Sequence, residues 1–470
     1  MKRFFIEIVS FLCILFMIGC STNPTVLDQD FLEIKEENDL EAMINGAYSD
    51  MVDWRFMGRE DILIGEVRAD NVYSNSRTGR YGSMSKMTVE YVRTDTDDDV
   101  GWFYQYLYST IGKANVIINS DFDNLIVEGE ESNKFHILGE AYAIRAFSHF
   151  EALKFFGQQF LEEGEGLGVA YVTEYKSDDF AVRESVEDNK KHIYQDIERA
   201  IENMKKGQGS AFATDKTNFT LDAVYALQSR VGVYFGTTED YAIAKNAAEE
   251  ILGKYILTPA NQYVNYWKDS APGAESIFEL ERSTNNNDGS DNLAGLYHGV
   301  YSDIVAFKNV REDAEFDEND VRASKEMIDW DGNELRNYGK YPSGGEKLGS
   351  DNIKVFRYAE VVLNYAEAIL HSDPVKAKDY LNEVAVARNA IPYTEANMEN
   401  ILKERRKEFI FEGFRFHDLA RTGRDIPDID PTAPNNHGVV PYGSYKYALP
   451  IPRHDMDSNP EMKQNPGYKK

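Results

Sequence analysis

A 3.6-residue apolar period that recurs in adjacent pairs constrains this chain more than any other feature. Ala359, Val362, Leu363, Ala366 and Ile369 form one stripe, and Ala377, Tyr380, Leu381, Val384 and Ala387 form the next. Steps of three and four residues put these side chains on one helical face, which must be buried against another element. Between the stripes, His371-Ser372-Asp373-Pro374 reads as a turn with proline at a helix start, where its missing N–H is of no consequence. Leu221 to Tyr234 and Tyr241 to Leu252 make a second pair, joined by Gly236-Thr237-Thr238-Glu239. Helical patterning also runs from Asp39, from Trp102 to about Asn119, and from Asn133 to Phe156, where Gly157 supplies the stop. Short turns and small alanines at contact positions suggest tetratricopeptide-like hairpins, but with no full signature and no strict ~34-residue period the spacing alone establishes only an α-helical array.

Two stretches break this pattern. Residues 58–100 are rich in Gly, Asn, Asp, Ser and Arg and read as loops with a short strand. Residues 259–350 hold Pro, Gly, Asn and aromatic clusters, among them Asn265-Tyr266-Trp267, Asn285-Asn286-Asn287, Tyr297-His298 and Trp330. Loop-rich insertions on a rigid scaffold are where binding residues usually sit. The stretch 423–470 is again rich in Pro and Gly. No hinge-like linker divides the chain. The expected fold is therefore mainly α, one domain over residues 20–470, with helix pairs packed against an irregular lobe.

The N-terminus is of another kind. Met1-Lys2-Arg3 precedes an apolar run from Phe4 to Ile18 that ends in Gly19-Cys20. The run is too short to cross a ~30 Å hydrocarbon core comfortably. It has the layout of a signal peptide, residues 1–19, with Cys20 as the acylated, palmitate-bearing N-terminus and lipid anchor. Met17 departs from the leucine usual three residues before such a cysteine. Cys13 leaves with the signal, so the mature chain has no internal disulfide and must rely on burial. Ser21 to Asp28 would tether the body to the membrane. The formal charge of −29 repels phosphate backbones and anionic lipid, which argues against nucleic acid as a ligand.

The C-terminal third carries a family resemblance. Glu404-Arg405-Arg406-Lys407-Glu408-Phe409, Phe411-Glu412-Gly413, Arg415, Asp418-Leu419 and Arg421 resemble the E-R-R-x-E-L-x-F-E-G-x-R-x-x-D-L-x-R signature of the SusD/RagB family. Arg357 to Ala368 resembles that family's R-x-A-E-V-x-L-x-Y-A-E-A helix. Leu381-Asn382-Glu383-Val384 with Arg388 is similar to its L-N-x-V-R-x-R-A segment, with Ala385 in place of the first arginine. Pro450-Ile451-Pro452, Asn459-Pro460 and Gln464 to Tyr468 match the family's ending. Weaker matches are Gly46-Ala47-Tyr48, Ala114-Asn115, Arg145-Ala146-Phe147 and Asp320-Val321-Arg322. The resemblance implies a non-enzymatic lipoprotein of a Gram-negative outer membrane, facing the cell surface. It would bind oligosaccharides, or in some members peptides, and act as a lid on a SusC-like TonB-dependent transporter. Ser21-Thr22-Asn23-Pro24 lacks the acidic cluster that often directs surface display.

Two competing readings come from other classes: a surface glycoside hydrolase, and a helical-repeat scaffold that binds only proteins. A glycosidase needs two carboxylates ~5 to 9.5 Å apart. Glu404 and Glu408 share a helix face, but each has arginines within helical reach that would keep it ionised, which is wrong for a general acid. A structural ion-pair network containing Arg406 and Glu412 is the better expectation. Asp95-Thr96-Asp97-Asp98-Asp99 starts like a calcium loop but fails the pattern at Val100 and Tyr106. The acids from Asp313 to Asp320 read likewise as a solvated run. No metal, cofactor or catalytic motif is expected. Asp70, Asn71 and Tyr73 in the early loop, with Tyr297 and Trp330 in the later one, are the candidate ligand contacts. Asp and Asn can hydrogen-bond sugar hydroxyls, and aromatic faces can stack on sugar rings. Trp267 and Trp102 read as packing.

Overall fold

In a computed structural model, the structure describes residues 34–89, 99–125, 131–174, 180–269, 271–282, 287–343 and 349–468. Cys20, the leader and Asp95 to Asp98 lie outside the described residues. The longer helices are α1 (Glu37–Val52), α2 (Glu60–Val67), α3 (Asp99–Ile118), α4 (Glu131–Phe156), α5 (Val186–Lys206) and α6 (Leu221–Phe235). They continue with α7 (Thr238–Glu249), α8 (Ala260–Lys268), α9 (Tyr358–Ala368), α10 (Pro374–Ala387), α11 (Met398–Phe409) and α12 (Phe414–Arg421). No helix of the described residues is long and apolar enough to cross a membrane.

The helices pack as a chain of neighbours: α1 on α3, α3 on α4, α4 on α5, α5 on α6, α6 on α7, α7 on α9 and α9 on α10. Local chemistry sets their ends. Thr220 Oγ1 accepts the Ala223 N–H at the start of α6, and Gly236 closes that helix at φ +64°, a left-handed conformation that favours glycine. Thr237 and Asp240 then form a capping box on α7. Asp373 caps α10, with Pro374 in its first turn. Small residues let the helices approach: a Cβ on Gly232 would lie 2.7 Å from Ala244 Cβ, and one on Gly139 2.6 Å from Met204 Cγ. The predicted stripe of α9, Ala359, Val362, Leu363, Ala366 and Ile369, is buried throughout.

Two helices depart from the sequence expectation. α5 buries Ile193, Ile197, Ala200 and Met204 on α4 and α6, with Ser185 as its N-cap. α2 lies in the stretch read as loops, and all eight of its residues are buried. It carries Glu60, Asp61 and Glu66 amid apolar residues, so it shows no polar outer face for periodicity to detect.

The expected short strand is present and has a wider role. β1 (Val72–Ser74), β3 (Ile304–Ala306), β5 (Glu334–Asn337) and β4 (Ile328–Asp331) form one antiparallel sheet in the order β1-β3-β5-β4. The two irregular stretches are thereby joined in one lobe. The C-terminal stretch closes on it, where Asn435 Nδ2 donates to Ser74 O at 2.7 Å and to Ser76 Oγ at 2.6 Å. A second sheet, β2 (Ser276–Leu280) with β6 (Ile353–Arg357), is wholly buried. Its Phe278 and Phe356 join Phe219, with Phe278 and Phe219 4.6 Å apart, in the aromatic centre of the core.

Candidate functional site

The acid-rich signature of α11 is interior. Glu408 accepts from Arg357 at 2.8 Å, from Arg388 at 2.9 and 3.0 Å, and from Arg322 at 3.1 Å. Glu412 accepts from Arg357 at 2.7 and 2.9 Å and from Lys340 at 2.5 Å. Burial alone would raise the Glu408 pKa, but Arg388, Arg357 and Arg322 outweigh it and hold the carboxyl well below its usual range. Such a group cannot serve as a general acid near neutrality. The partners differ from those that helix spacing suggested. Arg405 turns to Asp418 and Asn364, and Arg406 to Asn71, Asp70 and Asp313. The cations that reach Glu408 and Glu412 come from β6, the end of α10 and the lobe.

Three of the five candidate ligand contacts, Asp70, Asn71 and Tyr297, lie in the interior. Asp70 receives Arg415 at 2.7 and 2.9 Å and forms an ion pair with Arg406 at 3.1 Å, which together keep it ionised against the cost of burial. Asn71 accepts from Arg406 at 2.9 Å and donates to Glu66 at 3.4 Å. Tyr297 is buried and donates to the Phe411 carbonyl. Each is held by α11, α12 or the segment between them, so none offers a ligand its polar atoms. Trp267 is core, edge-on to Tyr341 at 5.4 Å.

Tyr73 and Trp330 remain at the surface in part, but strand register separates them. Val72 pairs with Ala306, Ala306 with Leu335, and Leu335 with Trp330. Directly opposed residues share a face, and sequence neighbours do not. Trp330 therefore stands on the Val72 face and Tyr73 on the other, where its ring lies 5.2 Å from Phe307. Trp330 is 48% exposed on the edge strand β4. Of the acids from Asp313 to Asp320, three are paired: Asp313 with Arg406, Glu315 with Lys403 and Asp320 with Arg322. Among the described residues no group of three or more His, Cys, Asp or Glu side chains converges as a metal site.

A different surface gathers half-exposed rings. The α1–α2 connection presents Trp54-Arg55, the first turns of α3 present Trp102 and Tyr106, and the lobe brings Arg80 and Tyr301. The Arg55 guanidinium lies 3.9 Å from the Tyr106 ring centre, 5.3 Å from Trp54 and 5.8 Å from Trp102. Arg59 lies 4.1 Å from Trp54, and Arg80 lies 4.0 Å from Tyr301. Asp291 links the two halves, 3.4 Å from Arg59 and 2.5 Å from Arg80. The result is a ribbon of rings braced by guanidiniums, running from Tyr106 and Trp102 through Arg55 to Trp54 and on, across Arg59, which is buried, and Arg80, to Tyr301. Cation–π contacts and paired carboxylates hold the rings before any ligand arrives. Sequence reading assigned Trp102 to packing and passed over Trp54. The one available signal was Trp next to Arg in a short helix connection.

Comparison with known proteins agrees with this architecture. The family model described as "SusD family" matches residues 335–468, and the one described as "Starch-binding associating with outer membrane" matches residues 28–233. The chain is 24% identical to SusD-like protein P38 of Formosa agariphila, over 86% of each chain. It is 32% identical to the starch-binding protein SusD of Bacteroides thetaiotaomicron, over 30% of this chain and 26% of that one. A crystal structure of a SusD superfamily protein from Bacteroides vulgatus superposes with a TM-score of 0.82 at 24% identity, covering 93% of this chain and 100% of that one. With both ends of the chain matched and the whole fold shared, this protein belongs to the SusD/RagB family.

Proposed function

We propose that this protein captures glycans on the ribbon from Tyr106 to Tyr301 and passes them to a SusC-like TonB-dependent transporter, held to the outer membrane by acylated Cys20 and facing outward. The observation that carries the binding reading is the set of half-exposed rings fixed by paired arginines. An oligosaccharide offers apolar ring faces and a rim of hydroxyls. Aromatic surface covers the faces, and carboxylates such as Asp291 accept from the rim. Binding of starch, named for a relative and for one matching family model, supports carbohydrate as the ligand class. Those named activities are binding, and the acids of α11 are engaged by cations, so hydrolysis has no support from that cluster.

Calorimetry on Trp102→Ala and Tyr301→Ala, with the fold checked by circular dichroism, tests the site. Each variant is expected to lose ~2 kcal/mol of glycan binding, about 30-fold in affinity. Parent affinity in both would move the site elsewhere. The partner reading is tested by recovering the lipidated protein from its own membrane in mild detergent. A large β-barrel protein is expected with it, and repeated recovery without one counts against the lid role.

A further inference from the structure

The charge pairing along the ribbon bears on which glycans it can hold. Arg55 makes a two-point contact with Asp53, with both bonds at 2.7 Å. Arg59 binds Glu60 at 2.8 and 2.5 Å and the Asp291 carbonyl at 3.0 Å. Arg80 binds Asp291, and Arg282, beneath the ribbon, binds Asp288 and the Val52 carbonyl. Asp99 adds a further carboxylate 3.7 Å from Arg59. Four guanidiniums thus face five carboxylates, in a chain of net charge −29.

From this balance we infer that the ribbon selects uncharged oligosaccharides and rejects carboxylated or sulfated ones, an inference that rests on the ribbon being the glycan site. A sulfate or uronate approaching Arg55 or Arg80 must displace a carboxylate that is part of the protein and cannot diffuse away. It also enters a negative field that is only partly screened within a Debye length of ~8–10 Å. A neutral sugar meets neither obstacle. Its hydroxyls donate to carboxylate oxygens that keep solvent-facing surface, as Asp291 does with a side chain 40% exposed. The guanidiniums then act as braces for the rings, and the ligand contact falls to rings and acids.

The test uses the mature chain and matched polymers: neutral glucans, mannans and xylans, each beside its carboxymethylated and sulfated derivative, in affinity electrophoresis and calorimetry. At least one neutral polymer is expected to bind, its charged derivatives about tenfold or more weaker, with neutral binding unchanged from about 50 to about 500 mM NaCl. Tighter binding of a charged derivative, weakening with salt, overturns the inference. A second arm removes the pairing. Asp291→Asn releases Arg80, while Arg59 keeps Glu60 and the Asp291 carbonyl, and Asp53→Asn, on an independent pair, releases Arg55. Each is expected to gain about tenfold for the sulfated polymer. No gain in either folded variant overturns the inference, whichever neutral glycan is the natural one. Trp102→Ala and Tyr301→Ala keep the two failures apart: their loss of neutral binding upholds the site even when selectivity proves otherwise, and unchanged binding rejects the site itself.

Discussion

Glu66 gives the sharpest test of how the lobe is held. It lies wholly buried on α2, accepting from the Gly413 N–H at 2.9 Å and from Asn71 at 3.4 Å, with no ion pair among the described residues. Burial pushes its pKa from 4.5 up to about 7, and the bonds from Gly413 and Asn71 only partly offset the shift. Between these two values the folded protein holds a proton that the unfolded chain has lost. The associated stability is complete below the unfolded pKa and disappears as pH rises through about 7. At 1.36 kcal/mol per pH unit the full loss is ~3 kcal/mol. Glu66→Gln removes the titration and keeps an acceptor for the Gly413 N–H. Urea unfolding followed by circular dichroism is expected to give near-equal stabilities around pH 4.5. Around pH 8.5 the variant should be more stable by ~3 kcal/mol. All other titrations are common to both proteins and cancel in the difference, including that of His149, whose pKa burial and Arg145 depress to about 3. A stability difference independent of pH would refute the reasoning.

Three further outcomes are expected. Arg406→Ala removes bonds to Asn71, Asp313 and the Asp70 carbonyl and weakens the hold on the Asp70 carboxylate, so melting temperature should fall with a loss of ~3 to 5 kcal/mol. Intact stability with lost glycan binding would reverse that assignment. Trp330→Ala is expected to leave glycan affinity within about threefold, because β4 is two strands removed from β3, beside which Tyr301 lies. A loss as large as that of Trp102→Ala would place the site on the sheet edge. Cys20→Ala should move the protein from the membrane to the aqueous fraction in detergent phase separation, and unchanged partitioning would reject the anchor.

What could be read from the sequence divides along a physical line. α9 and α10 were legible because their packing is local: stripe, turn and proline lie within one window of residues, and Ala377, Leu381 and Val384 are buried as their spacing requires. α5 carried the same signal in Ile193, Ile197, Ala200 and Met204 and was passed over, so that omission was avoidable. α2 was not legible, since beyond adjacent Arg59 its buried acids find partners at Tyr81, 21 residues from Glu60, and at Gly413, 347 residues from Glu66. The site suffered in the same way. Asp70 and Asn71 have the chemistry of ligand contacts, and nothing local reveals that Arg406 and Arg415 arrive from over 330 residues away. Tyr73 and Trp330 look interchangeable until register puts them on opposite faces. The ribbon draws on four separate segments, and only the fold assembles it.

The residues that identify the family also fix the lobe on the helical scaffold. Arg357 joins Glu275, Glu408 and Glu412, and Arg388 joins Glu275 and Glu408. Lys340 adds the lobe to Glu412. These contacts tie β2, β6, the end of α10, α11 and the lobe to one another at fixed distances. Apolar packing alone would hold the same elements together but is non-directional, whereas a two-point guanidinium contact permits one orientation. Where α2 meets the start of α12, the requirement is spatial. A Cβ on Gly65 would lie 2.4 Å from the Gly413 carbonyl, and Gly413 itself sits at φ +85°. The signature around Glu-Gly at 412 and 413 is thus a device for seating α2, and α2 leads from the Trp54-Arg55 connection to β1. It follows that the motif and the ligand surface are separable. The motif sets where the α1–α2 connection and the lobe stand, and the side chains those segments carry set what is bound. A relative at 24% identity can then keep the fold at a TM-score of 0.82 while its loop side chains are free to differ.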